Sequence, residues 1–185
     1  MINQRMSIKD ILDNKKVSLS FEVFPPKKKE ALESIKETAV SLTKLKPDFI
    51  SVTFGAGGTT KGYTAEIAEA IEENGTTSLA HLTCVRSTKE ALKYTIDDLK
   101  KRNIKNVLAL RGDFPKDSVT GENIFPSGYT HASDLVKLLK EEGMCVGGAC
   151  YPEGHPESRS HEVDIELLKY KVDAGVVFLT TQMFF

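Results

Sequence analysis

Polar and ionisable side chains recur in this chain just after short apolar runs: Glu22, Thr53, His81, Arg111 with Asp113, Tyr151 with His155, and Gln182. Glu22 ends a run of apolar or small residues and is followed at once by Phe24-Pro25-Pro26. A carboxyl placed there is expected to be partly desolvated, which raises its pKa and suits a general acid. A turn residue, or a structural carboxylate paired with an arginine, fits the same position. His81, in Leu79-Ala80-His81-Leu82-Thr83, reads alone as a satisfied core imidazole, and only a place at the mouth of a barrel would make it a site residue. In Arg111-Gly112-Asp113 the glycine admits close backbone approach to a ligand, the guanidinium suits a phosphate or carbonyl edge, and the carboxylate suits a heterocycle. Gly55-Ala56-Gly57-Gly58 with Thr59-Thr60 fits neither phosphate-loop pattern and reads as a βα loop bordering a ligand.

Tyr151-Pro152-Glu153-Gly154-His155-Pro156-Glu157 is a loop stiffened by two prolines that presents Tyr, His and two carboxylates. It follows Gly147 and Ala149, whose small size is expected to leave room for something large and flat. Asp164 and Lys171 lie about two helical turns apart on one face, and by themselves read as a solvated helix pair. No His, Cys, Asp or Glu stands at a metal-ligand spacing, so no metal is expected.

Composition narrows the class. The 185 residues (20.4 kDa) are 40% hydrophobic and 28% charged, as in an ordinary globular domain. With 25 Lys+Arg against 26 Asp+Glu there is no basic excess to bind nucleic acid through its phosphates. No apolar run approaches the roughly 20 residues of a membrane span, and the polar N-terminus lacks a signal-peptide core. Cys84, Cys145 and Cys150 read as reduced core residues of a cytoplasmic protein.

These side chains must be positioned by an alternation of strands and helices. Candidate strands are 17–23, 48–54, 78–84, 106–110, 145–151 and 176–182. Leu32, Ile35, Ala39 and Leu42 form one helical face, and Leu92, Ile96 and Leu99 another. Ser87 with Glu90 reads as a capping box, and Gly75, Gly143 and Gly175 as helix terminators. Strict β-then-α order implies a parallel sheet. A doubly wound sheet fits the alternation, but the first βα turn lacks a nucleotide-binding glycine motif. Strand faces favour the barrel: Val17, Leu19, Phe21 and Val23 should face helices, while Ser18, Ser20 and Glu22 face inward, as do Ser51 and Thr53, and Thr180 and Gln182. The expected fold is therefore an α/β (β/α)8 TIM barrel. About six of its units are visible, whereas a complete barrel typically takes about 250 residues. We expect a fragment of a longer polypeptide, or a chain that a partner completes.

The same residues resemble methylenetetrahydrofolate reductases. The resemblance is carried by Ser20-Phe21-Glu22-Val23-Phe24-Pro25-Pro26, Pro47-Asp48-Phe49-Ile50-Ser51-Val52-Thr53-Phe54-Gly55-Ala56, His81-Leu82-Thr83-Cys84, Ala109-Leu110-Arg111-Gly112-Asp113, Tyr151-Pro152-Glu153-Gly154-His155-Pro156, and Lys171-Val172-Asp173-Ala174-Gly175 with Thr181-Gln182-Met183-Phe184-Phe185. It implies one catalytic FAD-binding TIM-barrel domain over residues 1–185, truncated at the C-terminus, from an enzyme of one-carbon and methionine metabolism. Such an enzyme uses NADH or NADPH to reduce FAD and then converts 5,10-methylenetetrahydrofolate to 5-methyltetrahydrofolate in ping-pong fashion.

By the resemblance, Glu22 matches the general acid that opens the imidazolidine ring, and Asp113 a carboxylate that serves catalysis and contacts both flavin and pterin. Thr53, Asp113 and Gln182 match substrate contacts. Phe54, Ala56, His81, Arg111, Gly112, Asp113, Ala132, Tyr151, His155, Asp164 and Lys171 match FAD contacts. Phe54 stands where Tyr is common, His131 where Tyr is frequent, and Leu167 and Tyr170 replace polar residues. The implied partners are small molecules, without nucleic acid or membrane, and homo-oligomerisation is left open. The rival readings are a non-catalytic flavin-binding fragment or subunit needing a partner, and another flavin barrel such as a proline dehydrogenase-like protein.

Overall fold

β-Branched runs and amphipathic runs alternate as strands and helices in a computed structural model that describes residues 6–55, 61–85, 87–114 and 129–185. In chain order the elements are α1 (Ile8–Asn14), β1 (Ser20–Val23), α2 (Leu32–Thr43, entered through a 3-10 turn at Lys29–Ala31), β2 (Phe49–Val52), α3 (Lys61–Glu73), β3 (Thr77–Thr83), α4 (Lys89–Lys101), β4 (Asn106–Leu110), α5 (Ala132–Glu141), β5 (Cys145–Cys150), α6 (His161–Ala174) and β6 (Phe178–Thr181). Strand order follows sequence order, β1-β2-β3-β4-β5-β6. A doubly wound sheet reverses direction partway through. Winding one way throughout is the rule of the (β/α)8 barrel, and six of its units are present.

The chain divides into two compact units. The first runs to Leu82 and includes Ile96–Val107. Its pairs β1/β2 and β2/β3 are parallel. Ile50, Val52, Ile67, Ile71, Ile96 and Ile104 are completely buried there. Polar cross-ties join its ends. The buried side chain of Asn106 accepts from the Ile8 amide at 3.0 Å and donates to the Ser78 carbonyl at 3.2 Å, fastening α1 to β3 and β4. Buried Glu72, at the end of α3, accepts from the amide and hydroxyl of Ser78 at 2.8 and 2.9 Å. The first strand is shorter than its apolar pattern implies, because β1 begins at Ser20. Val17 is 85% and Leu19 52% exposed, so neither faces a helix as expected. At Leu19 the amide donates to the Asp48 carboxylate at 3.0 Å, which also binds Lys15, while the Leu19 carbonyl accepts from the Asp48 amide at 2.8 Å.

The second unit comprises Thr83–Thr95 and Leu108–Phe185. Leu135, Val136 and Leu139 of α5 and Val146 of β5 are buried in it. In the parallel β5/β6 pair Gly147 lies opposite Phe178, and a Cβ on Gly147 would come within 2.4 Å of the Phe178 ring. The space left by Gly147 thus holds a core phenyl group rather than a flat ligand, which corrects the expectation drawn from residue size. The N-terminus of α4 is also corrected. Thr88, rather than Ser87, accepts from the Ala91 amide (3.2 Å), while the Ser87 amide turns back to the Cys84 carbonyl (3.1 Å). The capping box forms instead at α1, between Ser7 and Asp10. Leu92, Ile96 and Leu99 are buried as their spacing implies, and Gly75, Gly143 and Gly175 take the positive φ expected of them.

Two stability outcomes follow from these contacts and are read from urea unfolding. Asn106→Ala strands two buried backbone groups and destabilises by about 2–4 kcal/mol. Gly147→Ala forces the Phe178 ring aside and costs about 1–3 kcal/mol, which Phe178→Leu in the same chain partly restores.

Candidate functional site

Parallel pairing aligns side chains of equal parity on one face. The β1/β2 register sets Glu22 opposite Ser51, and the β2/β3 register sets Ser51 opposite Leu79. His81, two residues on from Leu79, therefore shares that face one pleat further along. The result is a three-residue group in the first unit. The Ser51 hydroxyl donates to Glu22 Oε2 at 3.0 Å, with the Phe21 carbonyl as its other acceptor at 3.4 Å. His81 Nε2 lies 3.5 Å from the same Oε2.

The Glu22 side chain is 46% exposed. Burial falls instead on His81, which is 8% exposed, and on Ser51, at 7%. Burial pushes the His81 imidazole below its ordinary pKa, and the Glu22 charge acts in the opposite sense. With a neutral ring, the 3.5 Å approach is a dipole facing a carboxylate rather than an ion pair. Thr53 extends the β1/β2 ladder, its amide donating to the Val23 carbonyl at 3.0 Å, while its carbonyl accepts from Thr64 Oγ1 at 2.9 Å. Phe54 is half-buried. Ala56 lies outside the described residues.

The second unit gathers the other predicted residues around the loop after β5. Arg111 makes a two-pronged ion pair with Glu157, at 2.5 and 3.0 Å. That bond holds the guanidinium above its ordinary pKa and the Glu157 carboxyl below its own. The Phe114 ring lies 4.7 Å from the Arg111 guanidinium. Gly112 has φ +82°, and a Cβ there would press to 3.0 Å against Thr83 and Val85, so the backbone after β4 depends on a glycine. Tyr151 and His155 meet edge to face at 4.7 Å. The His155 amide donates to Asp164 at 3.1 Å, and His155 Nδ1 accepts from the Glu157 amide at 3.1 Å.

Lys171 passes over Gly148 and donates to the Ala149 carbonyl at 2.8 Å. Burial lowers its pKa, with Asp164 and Cys150 opposing that shift. Asp164 and Lys171 are thus half-buried ties between α6 and the end of β5 rather than a solvated pair. Asp113 is exposed beside Arg111, whose charged form it favours. Ala132 opens α5, and the Gln182 amide donates to the Cys150 carbonyl at 2.8 Å while its side chain is exposed. Tyr170 accepts from Lys137 at 2.8 Å. Of the cysteines only Cys84 is fully buried; burial pushes its thiol up to about 11, and its sulfur lies 3.4 Å from the His131 carbonyl.

Two residues emerge that sequence reasoning did not assign a role: Ser51 and Glu157. Inward parity pointed to the first and the carboxylate-rich loop contained the second, but a partner for either required the register and the loop path. Among the described residues there is no grouping of three or more His, Cys, Asp and Glu side chains suited to a metal ion, and no helix long and apolar enough to cross a membrane.

The buried imidazole carries a pH signature. Because the folded-state pKa of His81 lies below its ordinary 6.5, the unfolded chain takes up the proton first on acidification. His81's contribution to stability is therefore complete above about pH 6.5, and it declines through the window between that value and the lower folded-state pKa. His81→Leu should remove this component, seen as a shallower fall of the urea midpoint between pH 7.5 and 5.5.

Residues 7–185 match the family model described as methylenetetrahydrofolate reductase. The 5,10-methylenetetrahydrofolate reductase of Pectobacterium carotovorum is 39% identical over 172 residues, covering 92% of this chain and 55% of that protein. The Escherichia coli enzyme is 39% identical over 171 residues, covering 91% and 55%. The chain thus spans about half the length of these curated relatives. Among solved structures, 2,3-dimethylmalate lyase superposes with a TM-score of 0.65 over 98% of this chain and 63% of its own, at 12% identity, a likeness of fold alone. With almost the whole chain matched to one family, on the barrel order and strand-end residues described above, the chain belongs to the methylenetetrahydrofolate reductase family.

Proposed function

We propose that the intact protein carrying this chain reduces 5,10-methylenetetrahydrofolate to 5-methyltetrahydrofolate with NADH or NADPH in the cytoplasm, and that residues 1–185 belong to its single catalytic, FAD-binding barrel domain. The observation that supports this most is the carboxylate of Glu22, at the family's general-acid position, hydrogen-bonded by Ser51 at 3.0 Å yet 46% exposed. It is anchored and still open to a substrate.

In this reading Glu22 delivers a proton to a ring nitrogen of the folate, helping the one-carbon bridge open. Thr53 and Gln182 contact the substrate. Asp113, exposed at the end of β4, hydrogen-bonds the pterin edge.

The donor chemistry of the second unit suits FAD. Arg111, whose Nε donates to the Gly112 carbonyl at 3.2 Å, and Lys171 are cations with exchangeable partners, and the carboxylate of Glu157 occupies the guanidinium fork as a phosphate would. Gly112 brings bare backbone to the same place, and Tyr151, His155, Asp164 and Ala132 complete the second unit's share; Phe54, Ala56 and His81 are FAD contacts by the family resemblance alone. Bound FAD would supply two-electron transfer between nicotinamide and folate. The protein's own share is to hold that group through Arg111 and Lys171 and to present Glu22 as the proton source.

Separating the two half-reactions tests the assignment. Glu22→Gln in the intact protein should leave bleaching of FAD absorbance by NADH within about twofold. It should slow reoxidation by methylenetetrahydrofolate by about a hundredfold or more. Equal loss in both half-reactions would overturn the acid role.

A further inference from the structure

We propose that Ser51 is a positioning residue for the Glu22 proton: its one hydroxyl hydrogen serves Glu22 Oε2, at 3.0 Å, while the carboxylate is charged, and turns to the Phe21 carbonyl, at 3.4 Å, when the carboxyl is protonated. A serine hydroxyl has one hydrogen to give and can accept in return. An ionised carboxylate only accepts, so the Ser51 hydrogen must point at it. A protonated carboxyl has a hydrogen of its own to donate, so Ser51 Oγ becomes the acceptor and its own hydrogen needs another destination. The Phe21 carbonyl provides one.

Both acceptors stand within reach of a single Oγ position, so the carboxyl can lose and regain a proton without any heavy atom moving. A lysine or arginine at this position would hold the carboxylate by charge and oppose its protonation. An alkyl side chain would not hold it at all. Ser51 is only 7% exposed and is fixed opposite Glu22 by the strand register, so water is poorly placed to substitute for it.

The proton balance is simple. When Glu22 gives up its proton, its O–H bond breaks and an N–H bond forms on the acceptor. The electron pair stays on the carboxylate, and the Ser51 hydrogen swings from Phe21 O to Oε2. The identity of the acceptor, a folate nitrogen, rests on the reductase reading; the tether does not.

His81 offers a readout independent of turnover. Its Nε2 lies 3.5 Å from the oxygen that Ser51 holds, and among the described residues Glu22 is the one charged group that shifts its titration. The ring resonances of the chain's four histidines can be followed against pH by NMR in the 185-residue chain. Glu22→Gln should lower the His81 midpoint, because the charge that favours the imidazolium is gone. Ser51→Ala should lower it in the same direction, because the freed carboxylate leaves the ring. Ser51→Thr, which keeps the hydroxyl, should bring it back. A His81 midpoint unchanged in Ser51→Ala, with amide dispersion intact, overturns the tether; so does one unmoved by Glu22→Gln.

In the intact protein, Ser51→Ala should lower kcat of the folate half-reaction about tenfold, with KM within about twofold. Reduction of FAD by NADH should stay within about twofold. A folate half-reaction that keeps its parent rate overturns the proposal. Should the parent form no methyltetrahydrofolate while the His81 shifts are still seen, it is the reductase reading that fails, not the tether.

Discussion

The parallel register of β1 against β2 is the constraint on which the first group depends. It sets Glu22 opposite Ser51, and a one-residue slip would turn every side chain of β1 to the other face. Phe21 and Val23 would then face the side now held by Glu22, and the carboxylate would press into helix-facing core. The register is therefore held by hydrophobic burial well away from the chemistry. Val23, Ile50 and Val52 are buried on the strands that carry Glu22 and Ser51. The polar contact costs little to maintain because apolar packing already enforces the alignment. This explains why a carboxylate nearly half exposed can still have a defined hydrogen-bond partner, where an exposed glutamate on a helix would sample many rotamers.

Electrostatics differ between the two groups. Around Glu22 the partners among the described residues are a hydroxyl and a buried imidazole whose pKa is pushed down. In the second unit the opposite rule operates. Arg111 and Glu157 hold each other charged, and Lys171, despite burial that favours its neutral form, finds a carbonyl oxygen. A group that must exchange a proton needs neighbours indifferent to its charge. In the proposed reading, Arg111 and Lys171 bind an anion, and such cations must stay charged but have partners they can relinquish. Glu157 is such a partner: it is exposed, so releasing Arg111 returns it to water at small cost.

Much of this was legible in the residues. The 3.6 periodicity of α4 reflects burial on one face and the short apolar run of β3 reflects burial on both, each a property of local sequence, and both elements formed within a residue or two of where they were expected. The strand-end motifs identified the family because each sits where the fold concentrates polar groups. What the sequence concealed was pairing. Nothing in the order of residues says that the Asp48 carboxylate would bind the Leu19 amide, or that Thr88 rather than Ser87 would close the start of α4. Residue size also misled at Gly147. A small side chain leaves space, but whether a ligand or a neighbour fills it depends on the β5/β6 register, which brings Phe178 across.

Along β3 and β5 packing gives way to polar contacts towards the C-terminal end, and the two ends serve different purposes. On the face of β3 that includes His81, Leu79 is 2% exposed and tightly packed, His81 is nearly as buried but polar, and Thr83 is half open. On β5, Gly147 is sealed by Phe178, Ala149 is half-buried with its carbonyl taken by Lys171, and Tyr151 stands against His155. Dry packing below supplies the rigidity, and hydrogen bonds at the boundary convert it into orientation for the groups above. Ser51 and His81 lie at that boundary. They are buried enough to exclude competing water and polar enough to hold Glu22, a combination that neither the core residues beneath nor the exposed residues beyond could provide.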